Sequence, residues 1–171
     1  QVLNGYEIKK MVEQYVGIPV SVGLAPTKTL AKIANFLAKK NDKYQGVVDL
    51  TSPELRDEAL AQVKVENIWG VGKASTAKLH ALGIKTAKDY RDYKNPALIQ
   101  KIFTKVGRQR QLELQGISCF PLEMEAPKKK EILTSRTFPG HLSSKEEIEE
   151  ALANYVSMAA EKMRNQKSLC T

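Results

Sequence analysis

Between positions 51 and 116 the chain is punctuated by glycines at 70, 72, 83, 107 and 116, and no stretch between them alternates apolar and polar residues long enough for a strand. Glycine is what a backbone needs where it must turn with positive φ, so the spacing predicts short helices joined by tight turns. This segment reads as an all-helical module. Thr51-Ser52-Pro53-Glu54 opens it, with Pro53 at the first helical position and Glu54 three residues after Thr51 in capping-box spacing.

The flanking residues follow other patterns. Ile8, Met11, Val12 and Tyr15 recur at i, i+3, i+4 and i+7, which predicts a helix over 6–16 with that stripe on one face. Gly17-Ile18-Pro19 breaks it, and Pro19-Val20-Ser21-Val22-Gly23-Leu24 predicts a short buried strand. Thr27 caps a second helix with the stripe Leu30, Ile33, Ala34 and Leu37, and Val47-Val48-Asp49-Leu50 is a second strand. Pro121, Pro127 and the run Lys128-Lys129-Lys130 predict an extended linker over 121–131. Beyond it, residues 132–138 read as a strand. Ser144 with Glu147 forms a capping box for a helix striped by Ile148, Leu152, Tyr155, Ala159 and Met163. The expected fold class is α+β and mostly helical, in segments 1–50, 51–120, 121–131 and 132–171.

Composition narrows the function classes. Among 171 residues, 42% are hydrophobic and 27% charged, the balance of a globular protein rather than a rod or a disordered tail. No apolar run approaches the roughly 18 residues of a membrane span, and no secretory signal is visible, so a soluble, cytoplasmic chain is expected. Gln1 in place of Met reads as an excised segment. Cys119 and Cys170 are too few for a disulfide framework and lack the neighbours of a zinc site. Lys and Arg number 27 against 19 Asp and Glu, a net charge of +8, which favours a polyanionic partner over an idle basic surface.

The sharpest motif is Ile68-Trp69-Gly70-Val71-Gly72, opening directly into a helix and continued by Leu82-Gly83-Ile84-Lys85-Thr86. This is the pattern of a helix-hairpin-helix. The amides of Val71 to Lys73 and the helix N-terminus can converge on one anion, and with no side chains between, a DNA phosphate can approach. Such contact carries no base information, so binding is expected to be sequence-independent and sensitive to salt. Trp69 is either a packing anchor or a stacking platform, and Lys73 either a phosphate contact or a solvated lysine. In the helix after Thr27, Lys28, Lys32, Asn35 and Lys39 fall within about 60° of one another, opposite the apolar stripe. That ridge is either the wet side of an amphipathic helix or a phosphate-facing stripe.

Catalytic constellations are not visible. Asp57-Glu58, Glu146-Glu147 and Glu149-Glu150 lie within predicted helices, Asp49 stands alone at a strand end, and His80 and His141 are isolated.

Four strings in order, Ser21-Val22-Gly23-Leu24-Ala25-Pro26-Thr27-Lys28-Thr29-Leu30-Ala31-Lys32-Ile33-Ala34-Asn35, Gly46-Val47-Val48-Asp49-Leu50, the hairpin, and Thr134-Ser135-Arg136-Thr137-Phe138, closely resemble the Y-family lesion-bypass DNA polymerases, and among them the UmuC branch. The resemblance implies that 1–50 ends a polymerase palm, 51–120 is the thumb, 121–131 the tether, and 132–171 the start of an α/β little-finger domain. It implies DNA contacts at Gly70, Val71, Gly72, Lys73 and Arg136. It also implies triphosphate contact at Lys39, with Lys32 and Lys28 nearby, and a hairpin cation on the carbonyls of Glu66, Ile68 and Val71. The intact enzyme would be an error-prone DNA polymerase of the SOS damage response, using Mg2+ and deoxynucleoside triphosphates on primer-template DNA, with a UmuD-like subunit and a sliding clamp as further partners. The family's metal-binding carboxylates precede Gln1, so the chain by itself is expected to be inactive, and truncation to leave residues beyond about 128 disordered or paired in a dimer. The alternatives are a stand-alone helix-hairpin-helix DNA-binding or nuclease-accessory module and an interaction protein whose charge is incidental.

Overall fold

The computed structural model describes residues 2–123, 131–138, 140–141 and 144–169. Two compact units divide the chain, Gln1–Leu122 and Glu123–Thr171.

The first unit begins with helix α1 (Val2–Val16), followed by strand β1 (Val22–Leu24), helix α2 (Lys28–Lys40) and strand β2 (Val47–Asp49). The strands are parallel, pairing Val22 with Val47 and Leu24 with Asp49, and α2 supplies the crossover that parallel strands require. Thr27 caps α2 as expected, its hydroxyl accepting from the Leu30 N–H. The stripe on α1 shares one face as expected, but Ile8, Met11 and Tyr15 on it are exposed, and the buried position of the helix is Gly5. A Cβ at Gly5 would lie 2.7 Å from Val47 Cγ1, so the missing side chain lets α1 settle on the short strands. Apolar periodicity locates the helix, while closeness of approach, not hydrophobic area, decides which of its positions is buried.

Helices α3 (Pro53–Gln62), α4 (Lys73–Ala81), α5 (Ala87–Asp92) and α6 (Pro96–Leu114) follow in this unit, and α7 (Lys145–Asn165) lies in the second. The N-cap of α3 is Ser52 rather than Thr51, and the box expected between Thr51 and Glu54 does not form. Ser52 instead donates its hydroxyl to Glu54, and Asp49 accepts from the Thr51 N–H at 2.8 Å, which holds Thr51 in the approach to the helix. Gly83 and Gly116 end α4 and α6 at positive φ, with the Ile84 and Ile117 N–H groups bonding back to Leu79 and Leu112. Gly107 is no separator: it lies inside α6, whose interruption falls at Thr104 (φ 64°, ψ −175°). The module is not purely helical either, since Lys64 and Thr86 form an isolated antiparallel bridge.

One core runs through both halves of this unit, from Leu30, Ile33 and Leu37 through Leu60, Ile68 and Leu79 to Ile99 and Leu114. Position 50 is therefore no break in the packing. Polar side chains tie α6 to the rest. Gln111 Nε2 donates to the carbonyls of Tyr90 and Tyr93, and the Tyr90 hydroxyl donates to the Gly107 carbonyl at 3.0 Å. Glu113, fully buried, accepts from the N–H groups of Thr29, Cys119 and Phe120.

In the second unit α7 carries the expected capping box between Ser144 and Glu147. Residues 131–138 run without regular secondary structure where a strand was expected. They are held by Thr134 Oγ1 donating to the Tyr155 carbonyl and Lys162 Nζ donating to the Leu133 carbonyl, and Phe138 lies 6.2 Å from the Tyr155 ring. A strand needs a neighbouring edge, and none exists among the described residues of this unit. Ile148 and Leu152 are exposed. The run Lys128-Lys129-Lys130 and Cys170 lie outside the described residues.

Candidate nucleic-acid interface

The hairpin is built by local rules. A single 3-10 turn over Val65–Asn67 leads into Ile68, which is buried, and the Val71 N–H then bonds to the Ile68 carbonyl at 3.0 Å. Gly70 is the third residue of that four-residue turn and has φ +80°, the position where a type II turn calls for glycine. This bond consumes the Val71 amide, which was expected to point at an anion. It also uses the Ile68 carbonyl, one of the three proposed for a cation. The amides left at the tip belong to Gly72 and the first turn of α4.

Gly72 is the N-cap of α4, at φ −91° and ψ 175°, with no side-chain hydrogen bond at the cap. Those angles suit any residue, and a Cβ placed there would meet nothing within 4 Å. The backbone does not need glycine at 72. The open space is its consequence: the N–H groups of Lys73, Ala74 and Ser75 lack intrahelical partners, and the position beside them at Gly72 carries no side chain, with nothing within 4 Å of where a Cβ would stand. Lys73 is exposed beside them.

Tertiary structure adds two features. Arg110, on α6, lies over the turn, close enough that a Cβ on Gly70 would sit 2.3 Å from its Nη2. Among the described residues it has no carboxylate partner, so a guanidinium free of any ion pair stands at the hairpin. Sequence gave no signal for it, because the contact spans 40 residues. The second feature is the position of the lysine ridge. Lys28 and Lys32 share one hollow with Trp69, while Lys39 lies in another with Lys9 and Glu13, and Asn35 lines both. Ridge and hairpin thus adjoin. Lys28 Nζ donates to the Pro121 carbonyl at 2.5 Å, and Lys32 and Lys39 are exposed. His80 sits 3.7 Å from Glu66, behind the turn.

Arg136 belongs to the second unit. The hollow it lines there also carries Glu147, Glu150, Glu161 and Arg164, a mixed rather than basic surrounding. No group of three or more His, Cys, Asp or Glu side chains that could hold a metal ion occurs among the described residues. No helix among the described residues is long and apolar enough to cross a membrane.

Comparison with known proteins gives this surface a setting. Residues 129–171 match the impB/mucB/samB family C-terminal domain. Over 167 residues, 97% of this chain, the sequence is 42% identical to the UmuC protein of Salmonella typhimurium, and it is 37% identical to the ImpB protein of the same species over 169. The chain belongs to the UmuC branch of the Y family of DNA polymerases. It spans 39% of the length of each of those relatives. Among solved structures, the insertion ternary complex of Dbh DNA polymerase superposes with a TM-score of 0.55 at 30% identity, covering 72% of this chain and 36% of that one. This UmuC-branch chain thus shares its mostly helical architecture with Y-family polymerase domains.

Proposed function

We propose that this chain grips the sugar-phosphate backbone of primer-template DNA for an error-prone translesion DNA polymerase acting in the SOS damage response. Residues 68–86 would be the helix-hairpin-helix of a thumb spanning 51–120, residues 1–50 the end of the palm, and 132–171 the start of the little finger. The observation that carries the reading is the juxtaposition at the hairpin. Uncapped amides at the start of α4, the unpaired Arg110, and the Lys28 and Lys32 ridge adjoin on one unit, with open space at Gly72. Phosphates suit such a surface because partial charges from the helix end and full charges from the side chains act on the same anion.

Lys39, separated from the hairpin group, is the residue proposed to meet the triphosphate of an incoming nucleotide. A cation on the carbonyls of Glu66, Ile68 and Val71 is the least supported part of this reading, since Ile68 already accepts from Val71. Other regions of the polymerase would supply the Mg2+-binding carboxylates, and the chain alone would not extend a primer. The exposed face of α7 would be covered by a second copy or another segment, and a UmuD-like subunit and sliding clamp would join the intact enzyme.

Fluorescence anisotropy with labelled duplex across a salt series tests the grip. Contact with about 2 to 4 phosphates predicts log affinity falling with log salt at a slope of roughly −2 to −4, whatever the sequence. A flat salt response, or affinity that follows base sequence, would overturn it.

A further inference from the structure

We propose that Trp69, with Lys28 and Lys32, forms a seat for one unpaired nucleotide unit, the nucleobase stacking on the indole and its phosphate meeting the lysines. The inference deepens the DNA-holding reading and rests on it. Trp69 is the chain's single tryptophan, and it is 46% exposed. An indole serving as packing anchor would be buried; that role falls to its neighbour Ile68, at 2%. Trp69 is instead buttressed by Phe120, whose ring lies 5.9 Å away at 77°, so the indole is fixed in place while still open to solvent.

The open side is concave. Trp69, Gly23, Lys28, Ala31, Lys32 and Asn35 line a hollow of about 400 Å3, and no carboxylate is among them. Lys28 is anchored by the Pro121 carbonyl and keeps donors to spare, since an ammonium has three. Neither lysine has an acidic partner among the described residues. An aromatic ring flanked by unneutralised cations is the combination with which proteins hold bases without regard to sequence. Bases within a duplex are stacked on one another and cannot enter such a hollow. The occupant is therefore a nucleotide outside the helix, either in a single strand or free.

Trp69 itself reports the test. The 171-residue chain is titrated with a short oligothymidylate, an abasic oligomer of the same length, and thymidine triphosphate, while indole emission is followed. Oligothymidylate should quench, and the abasic oligomer should bind without comparable quenching. Read by anisotropy of a labelled oligothymidylate, since these variants lack the indole, Trp69→Leu should weaken binding about tenfold, the loss of one stacked base, and Trp69→Phe much less. Should Trp69→Leu not fold, by circular dichroism, Lys28→Gln with Lys32→Gln keeps the indole and should reduce the quenching at moderate salt. Quenching by the oligomer alone assigns the seat to a strand; quenching by the triphosphate at similar concentration assigns it to a free nucleotide. Equal quenching by the abasic oligomer, or no quenching by any probe, overturns the proposal. If duplex binding persists without quenching, the seat fails and the hairpin reading survives. If duplex binding is absent while oligothymidylate quenches, the hairpin reading fails instead.

Discussion

Replacing Glu113 by Gln should destabilise the first unit by about 3 kcal/mol at neutral pH, a large share of the roughly 5–15 kcal/mol typical of a domain. The carboxylate is fully buried. One oxygen accepts from Cys119 and Phe120 at 2.7 and 3.2 Å, the other from the Thr29 N–H at 2.9 Å in the first turn of α2. Glutamine would keep an oxygen for the loop pair and turn its NH2 toward Thr29. One charge-assisted bond of about 1.5–3 kcal/mol would be lost, and a buried N–H would be left facing another donor at a further cost of about 1–3 kcal/mol. Urea unfolding followed by Trp69 emission reads the change, since Phe120 touches that indole. The pH dependence supplies a second check. Burial pushes the Glu113 carboxyl up, but the backbone N–H bonds outweigh it and hold it below its ordinary 4.5. A depressed carboxylate contributes stability that is complete above its unfolded value and lost as pH falls through the folded one. The gap between wild type and Glu113→Gln should therefore narrow in acid. A difference under about 0.5 kcal/mol at pH 7, the level of an ordinary surface change, or a gap unchanged by acid, would refute the reasoning.

Other positions give sharp expectations. Thr104 has backbone angles that almost only glycine adopts, at a cost of about 1–3 kcal/mol, and it is exposed. Thr104→Gly should therefore raise the melting temperature despite glycine's own entropic cost of about 1 kcal/mol, and an unchanged or lower value counts against the strain. Burial pushes the Tyr90 phenol up to about 12 from 10. The stability tied to its proton is intact below pH 10 and drains as pH rises toward 12, so Tyr90→Phe, about 1 kcal/mol less stable at neutral pH, should lose stability less steeply in alkali. Parallel alkaline slopes would refute this. Arg110→Gln should weaken duplex binding and lower the salt slope by about 1 at an unchanged urea midpoint, and full affinity would remove Arg110 from the interface.

The sequence disclosed what local chemistry decides. Thr27 and the Ser144 and Glu147 pair cap their helices because the capping bond lies within three residues, and Gly70 marks its turn because φ +80° is a local demand. What it hid was set at a distance. The inward face of α1 depends on how closely Gly5 can approach Val47; Arg110 reaches the hairpin from α6; and Glu113 joins α2 to the 117–120 loop although its neighbours in sequence show no sign of it. Residues 132–138 have strand-like composition, but composition cannot supply a neighbouring edge. Gly72 shows the reverse case. Its conformation would accept any residue, so the glycine there makes sense through the space it leaves, which only the assembled hairpin reveals.

The most direct test of a backbone grip on phosphate is the duplex affinity of Gly72→Val. A Cβ there meets nothing within 4 Å and the backbone angles are ordinary, so the expected folding cost is that of the poorer N-cap, about 1 kcal/mol. Its methyl groups would stand in the approach to the α4 amides. Anisotropy with labelled primer-template at low salt, beside a urea curve on the same protein, should show a folded variant with duplex affinity reduced at least tenfold. A folded Gly72→Val that binds duplex as tightly as wild type would contradict the account.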